Sequence, residues 1–136
     1  MIHIFDTGPL VAAFRRSADK DPFTPWATDI IRSVPYPIFT CDAVVTEAAH
    51  FLKSADKLLE AIERGLLVTR FDTQAAAARL RQLMKKYADQ PMDFADACLV
   101  CMSEQTRDAR IVTIDRSDFL AYRRHGRELI PLLLPE

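Results

Sequence analysis

Ile2-His3-Ile4-Phe5-Asp6-Thr7-Gly8-Pro9-Leu10-Val11 is the stretch that decides the fold class. Ile2 to Phe5 is a short, mainly apolar run that stops at Asp6-Thr7-Gly8-Pro9. An apolar run bounded by turn residues reads as a buried strand feeding a helix. Asp6 or Thr7 suits the N-cap of that helix. Pro9 suits its first turn, where the missing N–H has no partner to lose. The helix then carries Leu10, Val11, Ala13 and Phe14 inward.

The same alternation continues along the chain. Arg15 to Pro25 is polar, Trp26 to Val34 reads as a second helix, and Pro35-Tyr36-Pro37 breaks it. Ile38 to Cys41 is a second strand, and Asp42 caps a helix from Ala43 to about Lys53. Ser54 to Arg64 places Leu58, Leu59 and Ile62 at helical spacing and ends at Gly65. Leu66 to Phe71 is a third strand, followed by an Asp72- or Thr73-capped helix from Gln74 to about Ala88. Pro91 opens a helix to about Thr106, Arg110 to Ile114 is a fourth strand, and Leu129 to Leu134 a fifth. Strands alternating with helices predict a three-layer α/β/α domain over residues 1–136, with a mainly parallel central sheet. In such sheets ligands gather at the carboxyl ends of the strands. Asp6 and Asp115 both fall there.

The 136 residues are 49% hydrophobic and 27% charged, a globular balance that excludes disorder. A chain of this length buries roughly two-thirds of its unfolded surface, so it needs no disulfide or structural metal to fold. Lys and Arg number 18 and Asp and Glu 19, a net charge of -1. No global field attracts nucleic acid, and any such binding rests on a local basic patch. Met1 is followed at once by Ile2-His3-Ile4-Phe5, without a basic leader or an apolar run long enough to cross a bilayer. With three cysteines, an odd number, a reducing cytoplasm is the expected compartment.

Carboxylates stand where a fold alone does not require them. Asp6 ends a buried strand, although capping explains it equally well taken alone. Glu47 lies inside Asp42-Ala43-Val44-Val45-Thr46-Glu47-Ala48-Ala49-His50-Phe51-Leu52, with apolar Ala43 and Phe51 at i±4. Asp93 and Asp96 sit one turn apart in Met92-Asp93-Phe94-Ala95-Asp96-Ala97 and share a face. Asp93 is explained by the helix dipole, whereas a mid-helix Asp96 is a poor helix former. Asp115 and Asp118 follow the fourth strand, Asp118 as an ordinary turn or cap residue. Burying several carboxylates together raises their pKa values unless a cation compensates. No Lys or Arg stands at matching helical spacing around Glu47 or Asp96. A hard divalent ion such as Mg²⁺ or Mn²⁺ suits an all-oxygen site, and would activate water toward a phosphoryl group.

Ile4-Phe5-Asp6-Thr7-Gly8-Pro9-Leu10-Val11-Ala12, Val45-Thr46-Glu47-Ala48, Met92-Asp93-Phe94-Ala95-Asp96-Ala97 and Val112-Thr113-Ile114-Asp115-Arg116-Ser117-Asp118-Phe119 together resemble the PIN domain. More narrowly they resemble the VapC-type toxins of bacterial toxin–antitoxin pairs. No one motif is specific; the four in order are. The resemblance implies a Mg²⁺- or Mn²⁺-dependent endoribonuclease that leaves a 5′-phosphate and a 3′-hydroxyl. It makes Asp6, Glu47, Asp96 and Asp115 the metal-binding and catalytic acids and Asp93 a secondary one. Thr113 becomes a hydroxyl that orients water or phosphate. It also implies a homodimer and a small antitoxin whose tail occludes the pocket.

Arg15, Arg16 and Arg116 lie near acids in sequence and are the better candidates for phosphate contact. Lys20 belongs to the first of these basic groups. The other groups, Arg79 to Lys86 and Arg123 to Arg127, read as solvated faces, and Cys98-x-x-Cys101 as small buried apolar residues. Two other classes compete. A non-catalytic RNA- or protein-binding module is opposed by the complete acid set. A receiver-like phosphoacceptor domain needs a Lys near the fifth strand, where Pro135-Glu136 follows instead.

Overall fold

The computed structural model describes residues 1–16 and 21–136; Lys20 lies outside the described residues. The chain runs through β1 (Ile2–Phe5), α1 (Thr7–Phe14), α2 (Thr24–Ser33), β2 (Ile38–Phe39), α3 (Asp42–Leu52) and α4 (Asp56–Glu63). It continues through β3 (Leu67–Val68), α5 (Thr73–Lys86), α6 (Phe94–Gln105), β4 (Ala109–Val112) and α7 (Arg116–Ala121). Three short strands, β5 (Arg123–Arg124), β6 (Glu128–Leu129) and β7 (Leu132–Leu133), close it.

Five strands form one parallel sheet in the order β3-β2-β1-β4-β7, with helices on its faces in three α/β/α layers. β1 is central: Ile4 is opposite Phe39 of β2, while Ile2 to Phe5 pair in register with Ala109 to Val112 of β4. Because both neighbours are parallel, the carboxyl ends of β1 and β4 open on the same edge. Ile4, Phe5, Ile111 and Val112 are buried, which is why the central strands read as near-continuous apolar runs. The core continues into α6, where every residue from Ala95 to Ser103 is buried. Cys98 and Cys101 belong to that buried set as free thiols.

Several boundaries differ from expectation. The third strand is only Leu67–Val68, because its partner β2 leaves the sheet at Thr40–Cys41 to start α3 and offers Thr69 to Phe71 no ladder. The fifth strand is split: Leu129 pairs with Arg123 in a hairpin, and Leu132–Leu133 add to β4 beyond Pro131, which has no N–H to donate. In α1, Leu10, Val11 and Ala12 are buried, but Ala13 and Phe14 only partly. α6 begins at Phe94 rather than at Pro91. Asp93 accepts from the Asp96 N–H at 2.8 Å and Asp96 reaches back to the Asp93 N–H at 3.4 Å, a capping box that fixes the start. Asp96 is thus not mid-helix but at the third helical position, where its carboxylate is a favourable helix starter.

Candidate metal and phosphodiester site

The four acids expected to act together, Asp6, Glu47, Asp96 and Asp115, line one open cleft of about 560 Å³, with Asp93 and Asp118 beside them. The elements that deliver them explain the convergence. Asp6 leaves β1 and caps α1, accepting from the Thr7 N–H at 2.8 Å. Asp115 follows β4 and caps α7, accepting from the Asp118 N–H at 3.1 Å. Asp93 caps α6. Three helix N-termini therefore point their unsatisfied N–H groups and positive dipole ends toward one place. Glu47 arrives from the middle of α3.

Thr113 ties the strand-end acids together. Its hydroxyl donates to Asp6 Oδ2 at 2.7 Å and accepts from the Asp115 N–H at 3.0 Å. It is fully buried, so its contacts are with these two residues rather than with open cleft. Glu47 is only partly buried, and Phe51 on the same helix face is 58% exposed. The expectation that Glu47 is buried on an apolar stripe is thereby corrected: Ala43 packs against the core, but Glu47 and Phe51 line the open cleft, so solvent meets much of the desolvation cost. Its Oε1 accepts from the Thr7 hydroxyl at 2.7 Å.

Burial dominates the electrostatics of the two inner acids. Asp6 is pushed up to about 6, first by desolvation and further by the charges of Glu47 and Asp115. The hydrogen bonds from Thr113 and Thr7 oppose this without cancelling it. Asp96 is pushed up to about 7 by burial, then by Asp93 and Asp6, against the hydrogen bond from Tyr122. Desolvation also raises Asp118, assisted by Asp115. The cleft thus holds carboxylates that resist ionising together.

By donor chemistry this set fits a hard divalent cation, since every candidate ligand is a carboxylate and their repulsion is what a dication relieves. By geometry, no group of three or more His, Cys, Asp or Glu among the described residues is arranged to hold a metal ion.

Three contributors had little or no signal in the sequence. Tyr122, fully buried, donates to Asp96 Oδ2 at 3.0 Å and is held edge-on between Tyr87 and Phe119, with centroids 5.1 and 5.3 Å away. Nothing in the spacing of Asp96 and Tyr122 announces that contact. Thr7 was legible only as a cap, and Asp21 only as part of a polar loop. Asp21 lines the cleft, as does Arg15, whose Nε stands 4.0 Å from Asp21 Oδ2. Of the other proposed phosphate contacts, Arg16 lines an adjoining groove, and Arg116 is exposed, donates to the Pro135 carbonyl at 3.3 Å and does not line the cleft.

The sequence pattern of the PIN domain matches residues 4–124. The chain therefore belongs to the PIN domain family, whose members are generally nucleases. No curated protein sequence matches it. No helix among the described residues is long and apolar enough to cross a membrane.

Proposed function

We propose that the chain is a Mg²⁺- or Mn²⁺-dependent endoribonuclease, the toxin of a toxin–antitoxin pair. The observation that carries the nuclease reading is the gathering of Asp6, Glu47, Asp96 and Asp115 in one cleft at the carboxyl ends of β1 and β4, in a member of a nuclease family. RNA as substrate, the small antitoxin and the homodimer are supported by the likeness of the four acidic motifs to VapC-type toxins.

In this reading Asp6, Glu47, Asp96 and Asp115 hold the ion. When bound, it would activate water and neutralise charge on the phosphoryl oxygens. The chain's own work is positional. Thr7 and Thr113 fix both oxygens of Asp6, Thr7 orients Glu47, and Tyr122 holds one oxygen of Asp96. These bonds restrain individual carboxylate oxygens, while bringing three of the acids onto one ion requires their side chains to draw closer together.

The test is cleavage of single-stranded RNA with Mg²⁺ and with EDTA, by wild type and by Asp6→Asn. Cleavage that EDTA and Asp6→Asn both abolish is the expected result. An intact wild type that cleaves no RNA under any divalent ion sinks the proposal. The lack of a preformed three-carboxylate group favours, as a second reading, a non-catalytic PIN-like RNA- or protein-binding module. Calorimetric titration separates the two: no uptake of Mg²⁺ or Mn²⁺ selects the binding module.

A further inference from the structure

We infer that the groove beside the acid cleft is a track for single-stranded RNA. Arg15, Arg16, Lys53 and Lys57 face its phosphates and Phe51 stacks a base; the assignment rests on the nuclease reading above. The groove lies between the end of α1 and the α3–α4 turn, with a volume of about 460 Å³. Its lining brings those four cations together with one acid, Asp56, while Arg15 also stands 4.0 Å from Asp21 on the cleft side. It is continuous with the cleft, because Arg15 and Phe51 line both.

Charge makes such a groove necessary. The cleft is crowded with carboxylates and the whole chain carries -1, so neither attracts a polyanion. Several cations elsewhere are engaged: Arg79 by Glu104, Arg124 by Glu128, Lys86 by the Gly126 carbonyl and Arg116 by the Pro135 carbonyl. The exposed Arg81 and Lys85 on α5 lie outside the groove and the cleft. Lys53 and Lys57 are exposed and form no ion pair among the described residues. Lys53 ends α3 in the left-handed region, φ 61°, where the chain turns sharply toward Lys57 at the start of α4.

Phe51 selects the form of the polyanion. Its ring is 58% exposed at the junction of groove and cleft, and an edge contact with His50 at 5.4 Å supports it. An exposed ring beside a cationic track suits an unpaired base, whose face is open for stacking whatever its sequence. A base on Phe51 leaves its neighbouring phosphate at the mouth of the acid cleft.

The test uses the full chain in EDTA and a fluorescein-labelled single-stranded RNA of about 12 nucleotides, a length within the range of single-strand sites, followed by anisotropy across a salt series. Lys53→Asn with Lys57→Gln removes both charges, and Asn tolerates the left-handed backbone at 53. This pair is expected to reduce the slope of log affinity against log salt by about 1.4, two phosphates at about 0.7 each. Phe51→Ala is expected to weaken binding roughly tenfold, within the loss typical of one stacked base, at unchanged slope. Arg81→Gln with Lys85→Gln, on the far helix α5, is expected to change neither. All three are surface changes, and thermal melts matching wild type establish that the fold is kept.

Unchanged affinity and slope in the Lys53/Lys57 and Phe51 variants overturns the inference, as does an equal loss in the α5 control. So does a polyglutamate peptide whose capture, unlike that of RNA, depends on Lys53 and Lys57; the groove would then belong to a protein partner. Cleavage by wild type in Mg²⁺ is measured alongside. If wild type cleaves RNA while the groove variants bind normally, the groove assignment falls alone. If wild type cleaves nothing yet the groove variants lose binding, the nuclease reading falls and the groove stands.

Discussion

Replacing Asp6 by Asn should stabilise the metal-free protein at pH 8 and lose that advantage at pH 5. Asp6 is 9% exposed, and its pKa rises from an ordinary 3.8 to about 6 in the fold. A raised carboxylate pKa means that the folded state binds the proton more tightly than the unfolded state. Stability therefore falls as pH climbs through the window between those values, and the full cost is in place above it. At about 1.4 kcal/mol per unit, a shift of this size costs roughly 3 kcal/mol at pH 8. Asn removes the charge and keeps an oxygen for the Thr7 N–H. The Thr113 hydroxyl, which now donates to Asp6 Oδ2 at 2.7 Å, must give up that charged acceptor, a loss of about 1–2 kcal/mol. The expected net gain is roughly 1–2 kcal/mol at pH 8, which for a domain of this size raises Tm by a few degrees. At pH 5 Asp6 is mostly protonated in the fold while the unfolded carboxyl is already largely ionised, so about 1.6 kcal/mol of that cost is still in place. The hydrogen-bond loss offsets it, and the variant should match wild type to within about 1 kcal/mol. Urea unfolding in EDTA at the two pH values measures both. A variant that is as destabilised at pH 8 as at pH 5 refutes the idea that desolvation governs this carboxylate.

Adding Mg²⁺ should reverse that ranking at pH 8: wild type gains about 2.7 kcal/mol at a hundredfold excess over Kd, Asp6→Asn gains little, and calorimetric melts report the difference. Gly8→Ala places a Cβ 2.7 Å from Cδ1 and Cγ1 of the half-buried Ile114, whose side chain must move. A loss of about 1–3 kcal/mol in chemical unfolding is expected, and an unchanged midpoint counts against the close packing of α1 on the β4 end. Tyr122→Phe removes the hydroxyl held 3.0 Å from Asp96 Oδ2 and should cost about 1 kcal/mol. It should also weaken Mn²⁺ uptake measured by calorimetry; a variant with wild-type uptake shows that Tyr122 only fills the core.

Much of the frame was readable because its signals are local. Ile2 to Phe5 followed by Asp6-Thr7-Gly8-Pro9 carries its own strand, cap and helix start, and the parallel sheet follows from repeating that unit. Strand length was not readable, since β3 stops where its partner β2 leaves, a fact that belongs to the pair rather than to Leu66–Phe71. Among the acids, Asp6 and Asp115 were placed by topology. The reason given for Glu47 was wrong in detail, because apolar neighbours at i±4 cannot distinguish a core face from the wall of an open cleft. Tyr122 was invisible, and the partners of Thr113 were too, because their hydroxyls make contacts 26 and 107 residues distant in sequence.

The contest between capping and chemistry at Asp6, Asp93 and Asp115 has no loser. Each does cap a helix, and each lines the cleft. The parallel sheet makes these roles compatible: where a strand passes into a helix at its carboxyl end, the capping residue occupies the same edge of the sheet that a ligand would. Helix-end N–H groups then stabilise carboxylates whose mutual repulsion and burial would otherwise discharge them. That support is incomplete, since Asp6 and Asp96 still rise to about 6 and about 7. Caps that served stability alone would be exposed and fully ionised at neutral pH. Asp6 remains buried and charge-strained even though it caps α1, and that residual strain is what a divalent cation would relieve.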